Sequence, residues 1–394
     1  MKIDDIYIGG WFQRTMLQLS EIYDFLENQS SELKKLDSKK LKDLYNQLDI
    51  TELEYRVSGE EYIYFKTLGG IIVKIFEDGL ITLNKSKVTE ENLLGVIDEV
   101  QDYYENNLSK ALNYLFSLGA PVPKELAGIK NVYPYFVVFN NADETQISQL
   151  LNKLEPQKYF NFKSAKYDAI RGDKFYFINN KSKSDNEIER YIEEQIFIRE
   201  FKNQLHHYLN LHRIIWEKID AVKAHDKIRG SEIMKFSSEL EGYSKTITLI
   251  DGRIKQMSTY IPTREKIAKN DKELSEFLEI SGYSYETLTD TLNYIQYLWD
   301  MTRNYIESAQ KQFESLKADM TSKSVDTLTV VSSVSAGACI MSLFQSLQIE
   351  ITTDGIISLI ILIVIAWGAP KVLDIISNRQ KYKINDTDIK KGIK

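Results

Sequence analysis

The sequence predicts an α/β (or α+β) domain, followed by long α-helices and a two-helix transmembrane hairpin at the C-terminus. Residues 1–183 alternate helical segments with short runs of β-branched and aromatic residues, which favours a layered α/β domain. Residues 186–323 contain a single proline, Pro262, and are otherwise compatible with long helices. Residues 327–349 and 355–377 are predominantly apolar, and about 20 such residues suffice to cross a bilayer.

The N-terminal domain contains candidate strands separated by turn residues such as Ser58-Gly59, Gly69-Gly70 and Asp78-Gly79. The candidate strands are 51–57, 62–67, 71–76, 80–83, 134–139 and 174–178, and the candidate helices are 16–48, 90–118 and 144–154. This order predicts a sheet with helices packed on it. The lysine-rich and serine-rich segment 179–187 marks its end.

A helical connecting region, 184–283, and a stalk helix, 284–326, are predicted next. Apolar residues of the stalk recur every three or four positions, close to a coiled-coil seam. They are Leu288, Leu292, Ile295, Trp299, Thr302, Ile306, Ala309, Phe313, Leu316 and Met320. We therefore predict one continuous helix over 284–349. Two ways of burying the seam stay open: identical copies around an axis, or the upstream helices of the same chain.

The predicted hairpin comprises a first span (327–349), an outer loop (350–354), a second span (355–377) and a basic tail (378–394). The loop contains Glu350 and Asp354 and no basic residue. Lysines and an arginine flank the two spans on their other sides: Lys311, Lys317, Lys323, Lys371, Arg379, Lys381 and Lys383. The positive-inside rule then predicts a multi-pass protein of the inner or plasma membrane, with both termini and the α/β domain cytoplasmic. The alternative is a buried helical hairpin in a soluble core.

Small and polar residues form a stripe along the first span, beginning at Asp326. The stripe comprises Thr329, Ser332, Ser335, Cys339, Ser342 and Ser346. Polar groups avoid lipid, so the stripe either packs closely against other helices or lines an aqueous pathway. In the second case Asp326 lies at the inner mouth, and Gln348, Glu350 and Asp354 lie at the outer mouth. Rings of Glu350 and Asp354, one of each from every copy, would favour cations. The alternative is that these two acids only keep the loop in water.

Several function classes find no support in the sequence. A net charge of -7 argues against direct nucleic-acid binding. Phosphate-binding glycine loops, dinucleotide fingerprints and zinc-protease motifs are absent, and the four histidines, between His206 and His225, show no i, i+4 pair. We therefore predict no enzyme, no catalytic residue and no resident cofactor, and the identity of any bound metal stays open.

The segment KSVDTLTVVSSVSAG, residues 323–337, resembles the point at which the stalk of the CorA family of divalent-cation channels enters the membrane. The whole layout is similar to that family, and the likeness of individual residues covers 284–348. The resemblance implies a homopentamer around the first span, with a divalent cation as cargo. That family carries Gly-Met-Asn at the outer end of this span, where this chain has Ser346, Leu347 and Gln348, which puts magnesium selectivity in doubt.

Divergent CorA-like proteins without this motif include membrane effectors of type III CRISPR antiviral defence, in which a nucleotide second messenger binds the cytoplasmic part. Three hypotheses follow. The first is a homo-oligomeric ion channel, gated by such a ligand at the cytoplasmic domain. The second is a Mg²⁺/Co²⁺-type transporter with an altered filter. The third is a tail-anchored membrane sensor or scaffold without a pore. The implied partners are the lipid bilayer, further copies of the chain and the nucleotide.

Overall fold

The fold is given by a computed structural model. The structure describes residues 2–13, 18–30, 36–57, 60–116, 134–155, 157, 159–164, 166–181, 185–225, 227–270, 275–346, 375 and 379–383. The chain divides into two compact units. Unit 1 consists of Met1–Leu209 and Gly252–Gln296, and unit 2 consists of Asn210–Asp251 and Tyr297–Lys394.

A mixed β-sheet forms the centre of unit 1. Its strands, counted over the described residues, are β1 (Lys2–Trp11), β2 (Ile50–Arg56), β3 (Tyr62–Thr67), β4 (Ile72–Phe76), β5 (Leu80–Thr89), β6 (Tyr135–Asn140), β7 (Phe160–Lys163), β8 (Tyr167–Arg171) and β9 (Phe175–Asn180). Their order across the sheet is β2-β3-β4-β5-β1-β6-β9-β8-β7. The β6–β9 pair is parallel and the other pairs are antiparallel.

The first five helices belong to the hydrophobic core on one face of this sheet. They are α1 (Leu19–Asn28), α2 (Ser38–Asn46), α3 (Leu93–Asp102), α4 (Ser109–Phe116) and α5 (Glu144–Leu154), with a π-helical turn at Tyr103–Leu108 between α3 and α4. Asp37 and Asp143 cap α2 and α5 by accepting backbone N–H groups. The alternating strand residues Ile63, Phe65 and Val73 are fully buried in this core.

Long helices follow in the chain, and the first of them packs on the other face of the sheet. They are α6 (Asp185–Lys223), α7 (Gly230–Met257), α8 (Tyr260–Asn270) and α9 (Ser275–Ser346). Helix α6 lies close to β1 at Gly9, where an added Cβ would lie 2.9 Å from Ile196 Cδ1 and 2.4 Å from the Ile81 carbonyl oxygen. Only glycine therefore fits at this position without a shift of the backbone.

Unit 2 contains the later parts of α6 and α9, most of α7 and a two-stranded ribbon. The strands of this ribbon, β10 (Lys227–Arg229) and β11 (Lys381–Lys383), are antiparallel. Trp216 of α6 stacks on Tyr305 of α9 at 4.4 Å between ring centroids. Phe236 of α7 contacts Phe313 of α9 edge-on at 6.1 Å. These contacts are those of packed helices with interlocking side chains.

The predicted seam of the stalk helix is buried by residues of the same chain. Every seam position from Leu288 to Leu316 is buried, and Met320 is half-buried. The alternative in which upstream helices cover the seam is therefore confirmed for these positions. Helix α9 also confirms the predicted continuous helix, although it begins at Ser275 rather than residue 284.

The mixed α/β part of the predicted fold agrees with the structure, but the transmembrane hairpin does not. No helix among the described residues is both long enough and apolar enough to cross a membrane. The first predicted span contains five serines and two threonines between residues 327 and 346, so the lack of charge did not make it strongly apolar. The predicted hairpin, the multi-pass plasma-membrane location and the ion-channel assignment that depended on them are therefore wrong.

The rest of the predicted hairpin falls largely beyond what the structure describes. The predicted loop, 350–354, lies outside the described residues, and so does the predicted second span, 355–377, apart from Ile375. Of the predicted tail, 379–383 are described, and they contain β11.

Candidate functional site

A notable feature of unit 1 is a group of ionisable side chains between the sheet and the helices, here called the buried charge cluster. Its members are Glu60, Lys74, Asp78, Glu189, Arg190, Glu193, Glu194 and Arg264. Strand β4 and the loops beside β3 and β5 supply the first three, α6 supplies the next four, and α8 supplies Arg264. The cluster therefore links the sheet, α6 and α8 by charge, in addition to the apolar contacts between α6 and the sheet.

Arg264 is the centre of one half of the cluster. Its side chain is 2% exposed and donates to Asp78 at 2.5 Å, to Glu60 at 3.2 Å and to Glu194 at 3.5 Å. Burial by itself lowers the pKa of Arg264, but the carboxylates of Asp78, Glu194 and Glu60 together raise it well above its ordinary value. The guanidinium thus stays charged in the interior, where an unpaired charge would be very costly.

Helix α9 joins this half of the cluster through a tyrosine. The hydroxyl of Tyr285 donates a hydrogen bond to Glu194. Tyr285 is itself buried, so its hydroxyl needs such a partner. The sheet, α6, α8 and the first part of α9 are consequently tied to one another within unit 1.

Lys74 is the centre of the other half of the cluster. Its Nζ lies 2.7 Å from Glu189 and 3.4 Å from Glu193, two residues one turn apart on α6. Arg190 pairs with Glu60 and lies 3.8 Å from Glu193. Burial raises the pKa of Glu193 to about 7, against the opposing effect of Lys74. Glu189 and Glu60 also disfavour a further negative charge there.

The cluster holds more negative than positive groups, five carboxyls against three cations. Dehydrating ion pairs of this kind costs about as much free energy as their attraction returns. Removing one partner, however, leaves a buried charge uncompensated and typically costs about 3–5 kcal/mol. Small changes in charge at this position can therefore alter how firmly the helices are held to the sheet.

An aromatic and basic surface adjoins the cluster, here called the tyrosine–arginine face: Arg56, Tyr62 and Tyr64. The guanidinium carbon of Arg56 lies 4.8 Å from the centroid of the Tyr64 ring and 5.9 Å from that of Tyr62. Lys74 Nζ lies 5.5 Å from the Tyr62 centroid. Lys74 thus contacts both this surface and the carboxylates of α6.

The predicted pore-lining residues lie along the last part of α9. Asp326, Thr329, Ser332, Cys339 and Ser342 are exposed, and Ser335 is half-buried. The hydroxyl of Thr329 donates to the carbonyl of Val325 in its own helix. Ser346 is the last residue of α9, whereas Gln348, Glu350 and Asp354 lie outside the described residues. Because their predicted role depended on a membrane-spanning helix, it does not enter the proposed function.

The described residues contain no three His, Cys, Asp or Glu side chains arranged to hold a metal ion. Among the histidines, His212 packs against Trp299 with 6.0 Å between ring centroids, and burial lowers its pKa. This environment is that of a helix-packing residue.

The sequence contained one signal for the buried charge cluster. Apolar residues occur almost all round α6 between residues 188 and 201, and six of them are buried: Ile188, Tyr191, Ile192, Ile196, Phe197 and Phe201. A helix that is apolar all round is expected to be buried. Its charged residues, such as Glu193 and Glu194, are then buried with it.

The sequence matches no protein-family model, and a search of curated proteins found no match to it either. The resemblance to the CorA family therefore stays a prediction.

Proposed function

We propose that this protein is a ligand-responsive sensor in which unit 1 receives the signal and unit 2 responds. The observation that carries the proposal is the buried charge cluster, which holds α6 and, through Tyr285, α9 to the sheet of unit 1. Both helices begin in unit 1 and continue into unit 2. A change in the cluster therefore acts on helices whose other ends form the packing of unit 2.

A ligand can drive such a change only if it binds one arrangement of the helices better than another. A ligand at the tyrosine–arginine face could affect the arrangement of the helices, because Lys74 contacts both this face and the carboxylates of the cluster. An anionic ligand at this face would compete with Glu189 and Glu193 for the lysine. The binding free energy of the ligand would then be coupled to the stability of the contacts between the sheet and α6.

A nucleotide-type ligand fits the chemistry of the tyrosine–arginine face. Tyrosine rings and an arginine guanidinium stack on nucleobases, and each stacked base contributes roughly 1–3 kcal/mol. The present pairing of Arg56 with Glu54, at 2.7 Å, involves side chains that are 43% and 54% exposed. Exposed pairs of this kind contribute little to stability, so Arg56 can exchange its carboxylate for a phosphate.

Calorimetric titration with a panel of linear and cyclic mono- and oligonucleotides tests this proposal. We expect at least one of them to bind, and Tyr64→Ala to weaken that binding roughly 5- to 150-fold, as loss of one stacked base predicts. Tyr159→Ala is the control, because Tyr159 is an exposed tyrosine next to β7, the edge strand farthest from β3 in the sheet.

Either of two results would contradict the proposal. In one, no nucleotide of the panel binds the intact chain. In the other, a nucleotide binds but Tyr64→Ala and Tyr159→Ala weaken it equally, which places the ligand elsewhere. Arg56→Gln separates stacking from folding defects, because it keeps both tyrosines and should weaken binding without lowering the melting temperature.

A further inference from the structure

The ribbon of β10 and β11 in unit 2 brings together basic residues that are far apart in the sequence. Its register places Lys227 opposite Lys383 and Arg229 opposite Lys381. Like charges directly opposite each other on neighbouring strands are destabilising. The pairing of Arg229 with Lys381 in this short ribbon is therefore unfavourable as it stands.

The central residues of the ribbon hold it in place. Ile228 is fully buried, and Tyr382 is 4% exposed. Side chains alternate between the two faces of a strand, so Lys227, Arg229 and Lys381 point away from the side that buries Ile228 and Tyr382. Lys227, Arg229 and Lys381 are accordingly exposed. The ribbon thus presents its cations from a fixed backbone, not from a free chain end.

The exposed cations of the ribbon differ in their ion pairing from several other basic residues of the described chain. Within the described part of the chain, no carboxylate forms an ion pair with Lys227, Arg229 or Lys381, whereas Lys245 pairs with Glu241 at 2.9 Å. Glu232, three residues after Arg229, accepts the backbone N–H of Arg229. Two more exposed cations lie next to the ribbon. They are Arg379, which precedes β11, and Lys323, whose Nζ lies 5.0 Å from the Tyr382 ring centroid.

We propose that the β10–β11 ribbon is a binding site for a phosphate-bearing anion. A phosphate group offers several oxygens to cations at once, and arginine matches it with two parallel N–H donors. Such an anion would turn the repulsion between Arg229 and Lys381 into attraction to a shared partner. The positive charge of the ribbon is a local feature, since it contrasts with the net charge of -7 on the whole chain.

Titration of the full chain with inorganic pyrophosphate, followed by calorimetry at low and at physiological salt, tests the site. We expect binding that weakens as salt rises, since exposed charges are screened. The double variant Arg229→Gln, Lys381→Gln should bind at least roughly tenfold more weakly, because the loss of even one hydrogen bond between charged groups weakens binding by about that factor. Lys245→Gln, which removes an exposed but paired lysine, should bind like the unaltered chain.

The proposal would be overturned if pyrophosphate binding were unchanged in the double variant, or if the unaltered chain bound neither pyrophosphate nor acidic vesicles. The two substitutions lie on the surface and should leave the melting temperature within a few degrees. Arg229→Lys gives a second measure, because it keeps the charge and should retain most of the binding. Vesicles of phosphatidylcholine with and without phosphatidic acid form a separate arm. Association with the acidic vesicles and none with pyrophosphate would assign the phosphate to a lipid headgroup and reject a dissolved ligand.

Discussion

Glu193 shows how much a single buried carboxyl can contribute. Its side chain is almost fully buried, and it shares Lys74 with Glu189. The same lysine keeps its charge, because Glu193 and Glu189 raise the pKa of Lys74 despite its burial. Lys74 is thus stabilised by two carboxylates, whereas Glu193 shares both Lys74 and the more distant Arg190 with other carboxylates. The protonated form of Glu193 is consequently favoured in the folded protein.

The stability of the protein should therefore depend on pH through Glu193. Its pKa rises from an ordinary 4.5 to about 7 on folding. A group with a raised folded-state pKa contributes stability that is complete below pH 4.5 and is lost as the pH rises through 7. We expect the free energy of unfolding of the unaltered chain, relative to that of Glu193→Gln, to fall by about 3 kcal/mol between pH 4 and pH 8. Urea unfolding at a series of pH values measures this.

Glu189→Gln is the control for this experiment, because it removes a neighbouring carboxyl that is 27% exposed. The Glu189→Gln variant should still lose stability as Glu193 ionises, although over a somewhat lower pH range, since one repelling charge is gone. Parallel pH profiles for the unaltered chain and Glu193→Gln would show that Glu193 does not titrate in this range.

At the scale of elements, short-range patterns predicted the structure well and long-range pairing was not predictable. The predicted strands 62–67 and 134–139 correspond to β3 and β6, and the helix predicted over 144–154 is α5. β1 was missed, because its sequence KIDDIYIGGW interrupts the apolar alternation with two acids and two glycines. The first predicted helix, 16–48, is in fact two helices, α1 and α2.

The candidate site was not predictable, because it depends on contacts across large distances in the sequence. Asp78 and Arg264 are 186 residues apart, and each looks like a surface residue in its local sequence. The periodicity of α6 indicates which helix is buried but not which cations meet its carboxylates. The same limit applies to the β10–β11 ribbon, whose strands are three residues long and show no strand pattern.

The seam of α9 gives a prediction for this element. Ile306 is fully buried in unit 2, whereas Met301 on the same helix is 40% exposed. Truncating a buried isoleucine to alanine removes apolar contacts and leaves a cavity, at a cost of about 2–5 kcal/mol. We expect Ile306→Ala to lower the free energy of unfolding by that amount in urea.

Met301→Ala serves as the control and should change stability by less than about 0.5 kcal/mol, as surface substitutions usually do. Equal effects of the two substitutions would mean that the seam is not buried by the chain's own helices.

At the scale of the whole molecule, the two units share helices α6, α7 and α9. The proposed sensor depends on this continuity, because a helix held less firmly at one end in unit 1 remains part of the packing of unit 2. The alternative is that the units respond independently, with the buried charge cluster serving only to stabilise unit 1. Hydrogen exchange, which reports local opening of each segment, separates these possibilities.

Arg264→Met decides between the two alternatives. The substitution replaces the guanidinium with an apolar side chain of similar length. It leaves Asp78, Glu60 and Glu194 without their shared cation, which should lower the free energy of unfolding by about 3–5 kcal/mol. If the cluster controls the shared helices, amide exchange should accelerate along α9 beyond Gln296, in addition to unit 1. Phe139→Ala is the matched control, because Phe139 is fully buried in the core on the opposite face of the sheet and its loss costs a similar free energy. Exchange in residues 297–316 that rises equally in both variants would reflect general destabilisation. A rise confined to Arg264→Met would mean that the charge of one buried guanidinium, and not the stability of unit 1 as such, sets how firmly the helices of unit 2 are packed.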